Sequence, residues 1–286
     1  MAPKASDEVV SVIEAWKGRL MTAPALVILA PGSRDPQVAR VAHELRDELI
    51  AVRPSMIVRA AFLGTACSPT GTQIVAQLSR QGVKEVVFVP LLLSHDADHS
   101  PVIEELLLKA QAAFPAVRFA VSRPIGPEAS LLTILDQRTR DALCLNHCLE
   151  LDALVLSAEH LGDVRGETML ARRARQWSAH HRLPCLPAVA DDTGPSVANA
   201  ITSLRSQGRR HIAVGSFFLT ADEPYHVQAD LAHRYGAISV SDPIGCAPEV
   251  LELILARYAF AAMNLLDLGI EALDEPEGPD LELVGA

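Results

Sequence analysis

Aromatic side chains are scarce in this sequence, at 4% of 286 residues, so any core must be assembled from Leu, Val, Ile and Ala. Positive charge is also in deficit. A net charge of −10 and an isoelectric point near 5.4 give no grip on phosphate backbones or anionic lipid, so neither nucleic acid nor a membrane is expected as a partner. No run of about 18 apolar residues occurs, which argues against a transmembrane helix. The opening MAPKASDEVVSVIEAW places acids where a secretory signal needs an unbroken apolar stretch, so the expected location is cytoplasmic. Cysteines are few and odd in number: Cys67, Cys144, Cys148, Cys185 and Cys246 lack the even spacing of a disulfide framework, and free thiols are expected.

What is present is a globular composition, 49% hydrophobic and 21% charged, in a length that suits two domains. Residues 1–23 read as an N-terminal helical arm, with Val9, Val10, Ile13, Trp16 and Leu20 near one helix face. Residues 24–150 and 151–268 read as two domains. The stretch 269–286, rich in Glu, Asp, Pro and Gly, reads as an acidic, solvated tail.

Ala25 to Ala30 is a continuous apolar run stopped by Pro31-Gly32-Ser33, the pattern of a strand buried on both faces. Strands and helices then alternate: helix from Gln37, strand from Met56, helix from Thr70, strand from Glu85, helix from Val102, strand from Arg118, helix from Ala129. Such alternation predicts a parallel sheet with helices on both faces and right-handed crossovers. A second copy starts at Ala153. Gln81-Gly82 before a strand corresponds to Gln207-Gly208 before a strand, and Arg123-Pro124-Ile125-Gly126 corresponds to Asp242-Pro243-Ile244-Gly245. Two anchors in the same order indicate duplication.

Leu29-Ala30-Pro31-Gly32-Ser33-Arg34-Asp35-Pro36, Phe62-Leu63, the segment Val86 to His99 and the Pro-Ile-Gly turn together resemble the CbiX-type sirohydrochlorin chelatases over about residues 24–265. The resemblance implies two tandem chelatase-like α/β domains with a cleft between them. It also implies insertion of cobalt or ferrous iron into a tetrapyrrole such as sirohydrochlorin, on the route to cobalamin or siroheme, as a lyase that uses no nucleotide. Neutral imidazoles suit that chemistry because they ligate first-row divalent ions and accept the departing pyrrole protons.

The chain departs from that family at two positions: Pro31 stands where the first loop carries its histidine, and Gly64 where a glutamate commonly follows Phe-Leu. Donors remain in the third-strand loop, Ser94-His95-Asp96-Ala97-Asp98-His99, and in the second half at Glu159-His160, Asp191-Asp192 and Asp222 to His226. The expected metal ligands are His95, His99, His226 and Asp191. His99, His226 and His160 are the expected catalytic groups, and Ser33 and Arg34 the seat for substrate carboxylates. Three readings stay open: a chelatase, a metal or tetrapyrrole carrier that has lost turnover, and an enzyme acting on another metal-binding small molecule. Two internal copies suffice for a cleft, so either a monomer or a homodimer is compatible. Cys144-Leu145-Asn146-His147-Cys148 has too few ligands for a zinc or iron–sulfur site, and Arg172-Arg173-Ala174-Arg175 reads as the wet face of a helix.

Overall fold

The computed structural model describes residues 23–94, 101–160, 164–191 and 194–271, with side chains as far as Leu265. The expected N-terminal arm and the tail beyond Glu271 lie outside the described residues. Two four-stranded parallel sheets form the body. The first contains β1 (Ala25–Ala30), β2 (Val58–Phe62), β3 (Glu85–Pro90) and β4 (Arg118–Val121), in the order β2-β1-β3-β4. The second contains β5 (Ala153–Ala158), β6 (Cys185–Val189), β7 (Ile212–Phe217) and β8 (Ser239–Val240), in the order β6-β5-β7-β8. The α/β duplication is therefore borne out strand for strand: Ala25 pairs with Val86 as Ala153 pairs with Ile212.

The central strands are apolar throughout because both faces are covered. All six residues of β1 are at most 1% exposed. In the first half the helices are α1 (Pro36–Val52), α2 (Gly71–Arg80), α3 (Pro101–Ala113) and α4 (Leu131–Leu145). The second half has α5 (Val164–His181), α6 (Val197–Ser206), α7 (Glu223–Arg234) and α8 (Pro248–Glu271). Local sequence sets where several begin. Asp35 caps α1 by accepting the Gln37 N–H at 2.9 Å, and Thr70 with Gln73 forms a reciprocal capping box on α2. Of the described helices, none is long and apolar enough to cross a membrane.

A boundary near residue 150 divides the sheets but not the packing, because the halves exchange their last helices. The helix α4 lies on β7 and β8 of the second sheet, while α8 lies on β3 and β4 of the first. Gly215 in β7 makes the first contact possible, since a Cβ there would stand 2.5 Å from Trp177 and 3.2 Å from Leu135 of α4. The second contact is pinned by the Tyr258 hydroxyl, which donates to Pro24 O at 2.7 Å. As a result one apolar core runs through both halves, from Leu26 and Ile28 to Trp177, Phe217 and Ile254.

The Arg172–Arg175 run is not uniformly wet. Arg173 is only 6% exposed, and its Nε donates to Pro127 O at 3.0 Å, tying α5 to the turn that follows β4. Arg257 of α8 holds the same turn, donating to Pro124 O at 2.9 Å and pairing with Glu128. The 3.6-residue period brings Arg173 under α5 together with Leu170, Ala174 and Trp177, which overrides its charge.

Candidate functional site

The carboxyl ends of β1 and β3 face those of β5 and β7 across a cleft of about 410 Å³, within the range of small-molecule sites. The two walls differ in chemistry. On the first half the wall is Pro31, Gly32, Ser33 and Arg34 after β1, then Leu93 and Ser94 after β3. On the second half it is Glu159 and His160 after β5, then Leu219, Thr220 and Asp222 after β7.

The first-half wall is built by close backbone approach. A Cβ on Gly32 would sit 2.0 Å from Leu63 O, so only glycine lets the loop after β1 lie against the end of β2. Cys67 adds a thiol donor to Ser33 O. Ser33 Oγ accepts the Asp35 N–H at 3.1 Å and keeps its own hydroxyl proton to donate. Arg34 is exposed on the cleft with no ion-pair partner among the described residues. Gly64 has φ 68°, a left-handed turn where a glutamate would be strained.

The opposite wall gathers negative charge. Protein crowds the Glu159 carboxyl even though its surface opens to the cleft. This desolvation, then the repulsion of Asp222 and Asp191, pushes its pKa above the ordinary carboxylate range, while His160 pulls it back. Asp222 is 9% exposed, and its buried Oδ1 has no hydrogen-bond partner among the described residues. It occupies the N-cap position of α7 without making a capping bond, so its carboxylate is not used to start that helix. A buried acceptor without a donor costs roughly 1–3 kcal/mol, and more when charged. A cation or a shared proton would satisfy it.

Of the residues expected from sequence, His160 lines the cleft and reaches across it, its Nε2 3.4 Å from Ser94 Oγ of the first half. Asp191 is half-buried and close enough to act on Glu159 through its charge. Ser33 and Arg34 also line the cleft. His95 and His99, with Asp96 and Asp98, lie outside the described residues, as does Asp192. His226 is placed apart from these. With Asp222 at the N-cap and Pro224 in the first turn, α7 turns His226 outward to an exposed position beside Tyr225, off the cleft lining. Of the three residues expected to meet, His160 and Asp191 are both close enough to Glu159 to act on it through their charge, and His226 stands off the cleft lining.

Glu159 and Asp222 are the cleft groups that reading for histidine passed over. The repeat itself carried the signal, because Glu159 follows β5 where Pro31 follows β1. The cysteines are quiet: burial pushes the Cys185 thiol to about 12, and Cys148 Sγ is turned toward Ile238 O at 3.6 Å. Among the described residues the cleft donors do not form a set of three ligand atoms within 4.8 Å of one another.

A model of the CbiX family matches residues 25–142. The solved SirB of Bacillus subtilis with Fe3+ is 19% identical, with a TM-score of 0.73 over 86% of this chain and 98% of that one. SirB from Bacillus subtilis subspecies spizizenii, a sirohydrochlorin chelatase in complex with cobalt, gives 18% and 0.69 over 86% and 98%. CbiX, described as the terminal enzyme of siroheme biosynthesis in denitrifying bacteria, gives 19% and 0.57 over 83% and 99%. Curated protein sequences contain no match. Residues 25–142 are thus similar to the CbiX family, and the two halves together have the fold of these chelatases.

Proposed function

We propose that this chain is a chelatase-type enzyme that takes a divalent ion, cobalt or ferrous iron, and inserts it into a carboxylated tetrapyrrole of the sirohydrochlorin kind. The observation that carries the reading is the buried, unpartnered Asp222 Oδ1 beside Glu159 on one wall of the cleft. Insertion exchanges one dication for two pyrrole protons, so the site needs weak ligands for the ion and acceptors for the protons. Glu159 and Asp222 supply the oxygens and His160 the imidazole. The raised pKa of Glu159 makes it a better proton acceptor than an ordinary carboxylate. On the facing wall Arg34 and the Ser33 hydroxyl bind the carboxylates of the macrocycle and hold its face toward the ion.

The test is metal insertion followed by the absorption change of sirohydrochlorin with Co2+ or Fe2+. Glu159→Gln with Asp222→Asn lowers turnover by about 100-fold, the lower end of general acid–base effects, while His226→Ala stays within about twofold of the parent. Full turnover in the double carboxylate variant would refute the site. Pro31 and Gly64, which remove donors from the first half, favour a second reading in which the chain carries metal or tetrapyrrole without turnover. Binding of both without the spectral change of insertion would select it.

A further inference from the structure

We infer that the chain holds a second divalent-metal site, of two imidazoles and one carboxylate, formed by His180 and His181 at the end of α5 with Asp136 of α4. Their ligand atoms all lie within 4.8 Å of one another. The place is remote from the cleft: α5 lines the cleft at Gly166 and Leu170, and His181 lies about 22 Å further along from Gly166 at about 1.5 Å per residue.

The carboxylate is already oriented. Arg140 Nη2 holds Asp136 Oδ2 at 2.7 Å, which leaves Oδ1 to face His181 Nε2 at 2.5 Å and Trp177 Nε1 at 3.4 Å. A charged donor on the far oxygen is what fixes a metal-binding carboxylate in place. Only a proton separates Oδ1 from Nε2, and a divalent ion taking its place would release that proton. His181 and Asp136 are 20% and 16% exposed, so water competes weakly for the ion. His180 is exposed, and its ring stands edge-on to that of His181 with centroids 4.9 Å apart, which already brings a ring nitrogen within reach as third ligand.

Two nitrogens and one oxygen with open positions suit a borderline ion such as Zn2+, Ni2+ or Co2+ rather than Mg2+ or Ca2+. The ion would join α4, which belongs to the first half of the chain, to α5 of the second. It would therefore lock the exchanged helix on the sheet that it covers.

The full-length chain, free of any histidine tag, is titrated with Zn2+ by calorimetry in four forms: the parent, His180→Ala, the cleft double variant Glu159→Gln with Asp222→Asn, and the triple combination. The cleft variant keeps one zinc-binding event and a rise in melting temperature with zinc. Adding His180→Ala weakens that event by at least about 10-fold and abolishes the rise. Zinc binding by the triple variant equal to that of the cleft variant overturns the inference. So does a cleft variant that binds no zinc at all. The parent compared with the cleft variant reports separately on the cleft.

Discussion

At the scale of single residues the described cleft sets the carboxylates of Glu159 and Asp222 beside the imidazole of His160. Glu159 is pushed up by desolvation and by its acidic neighbours, so in the folded chain it gives up its proton at higher pH than in the unfolded one. The sign of two effects follows. Stability tied to the protonated form is complete below the ordinary glutamate range and is lost as pH rises through the raised value. Glu159→Gln therefore raises the melting temperature of the metal-free protein near neutral pH, measured by thermal unfolding across a pH series. Metal binding runs the other way, because the ion requires the ionised carboxyl. Affinity for Co2+ increases with pH through that same window, and calorimetry on Glu159→Gln finds this dependence reduced. A substitution that stabilises the protein and weakens its metal affinity is the signature of a functional carboxylate rather than a structural one. Sequence made the loops legible, since each donor sits just past an apolar strand run. It could not separate Asp222 from His226, four positions apart in one loop, because that choice depends on where α7 starts.

At the scale of elements, the exchange of α4 and α8 was hidden from the sequence for a simple reason. Each closes its own repeat in the sequence, and periodicity says which face of a helix is apolar but not which sheet will cover it. The strand–helix alternation gave the parallel sheets and the repeat anchors their duplication, since a buried parallel strand is apolar along its whole length and the turns recur, while the order of strands within each sheet came from the structure. The charge of Arg173 misled for a related reason: its exposure was decided by Leu170 and Trp177 on the same stripe and by the Pro127 carbonyl it reaches. Leu135 of α4 is fully buried against the second sheet. Leu135→Ala should cost about 2–5 kcal/mol, as other buried leucines do. Because the core is continuous, denaturant unfolding of that variant should remain a single transition reported alike by probes in either half. Two separated transitions would show that the halves fold apart.

At the scale of the whole molecule, the proposed function gives the two duplicated walls opposite tasks. The first half presents the Gly-Ser-Arg loop, with Pro31 and Gly64 where the resemblance led to donors being expected. The second presents Glu159, Asp222 and His160. An anion-binding wall facing a cation-binding one suits a polycarboxylate ring receiving an ion from the other side. The division is separable by mutation. Arg34→Ala should raise KM for a carboxylated tetrapyrrole by about 10-fold or more, the loss of a charged hydrogen bond of about 1.5–3 kcal/mol, while Co2+ affinity measured without the macrocycle stays unchanged. The clamp of Arg173 and Arg257 on the turn between Pro124 and Glu128 fixes how the walls face one another.

The central claim is that the ion rests on the carboxylate wall of the second half. Anomalous diffraction from crystals of the full chain grown with Co2+ tests it directly. The account predicts a cobalt peak in the cleft within about 2.5 Å of a Glu159 or Asp222 carboxylate oxygen, at ordinary ligand distances for a first-row ion. A cleft without cobalt, or cobalt held by the first-half loops alone with Glu159 and Asp222 turned away, would contradict it.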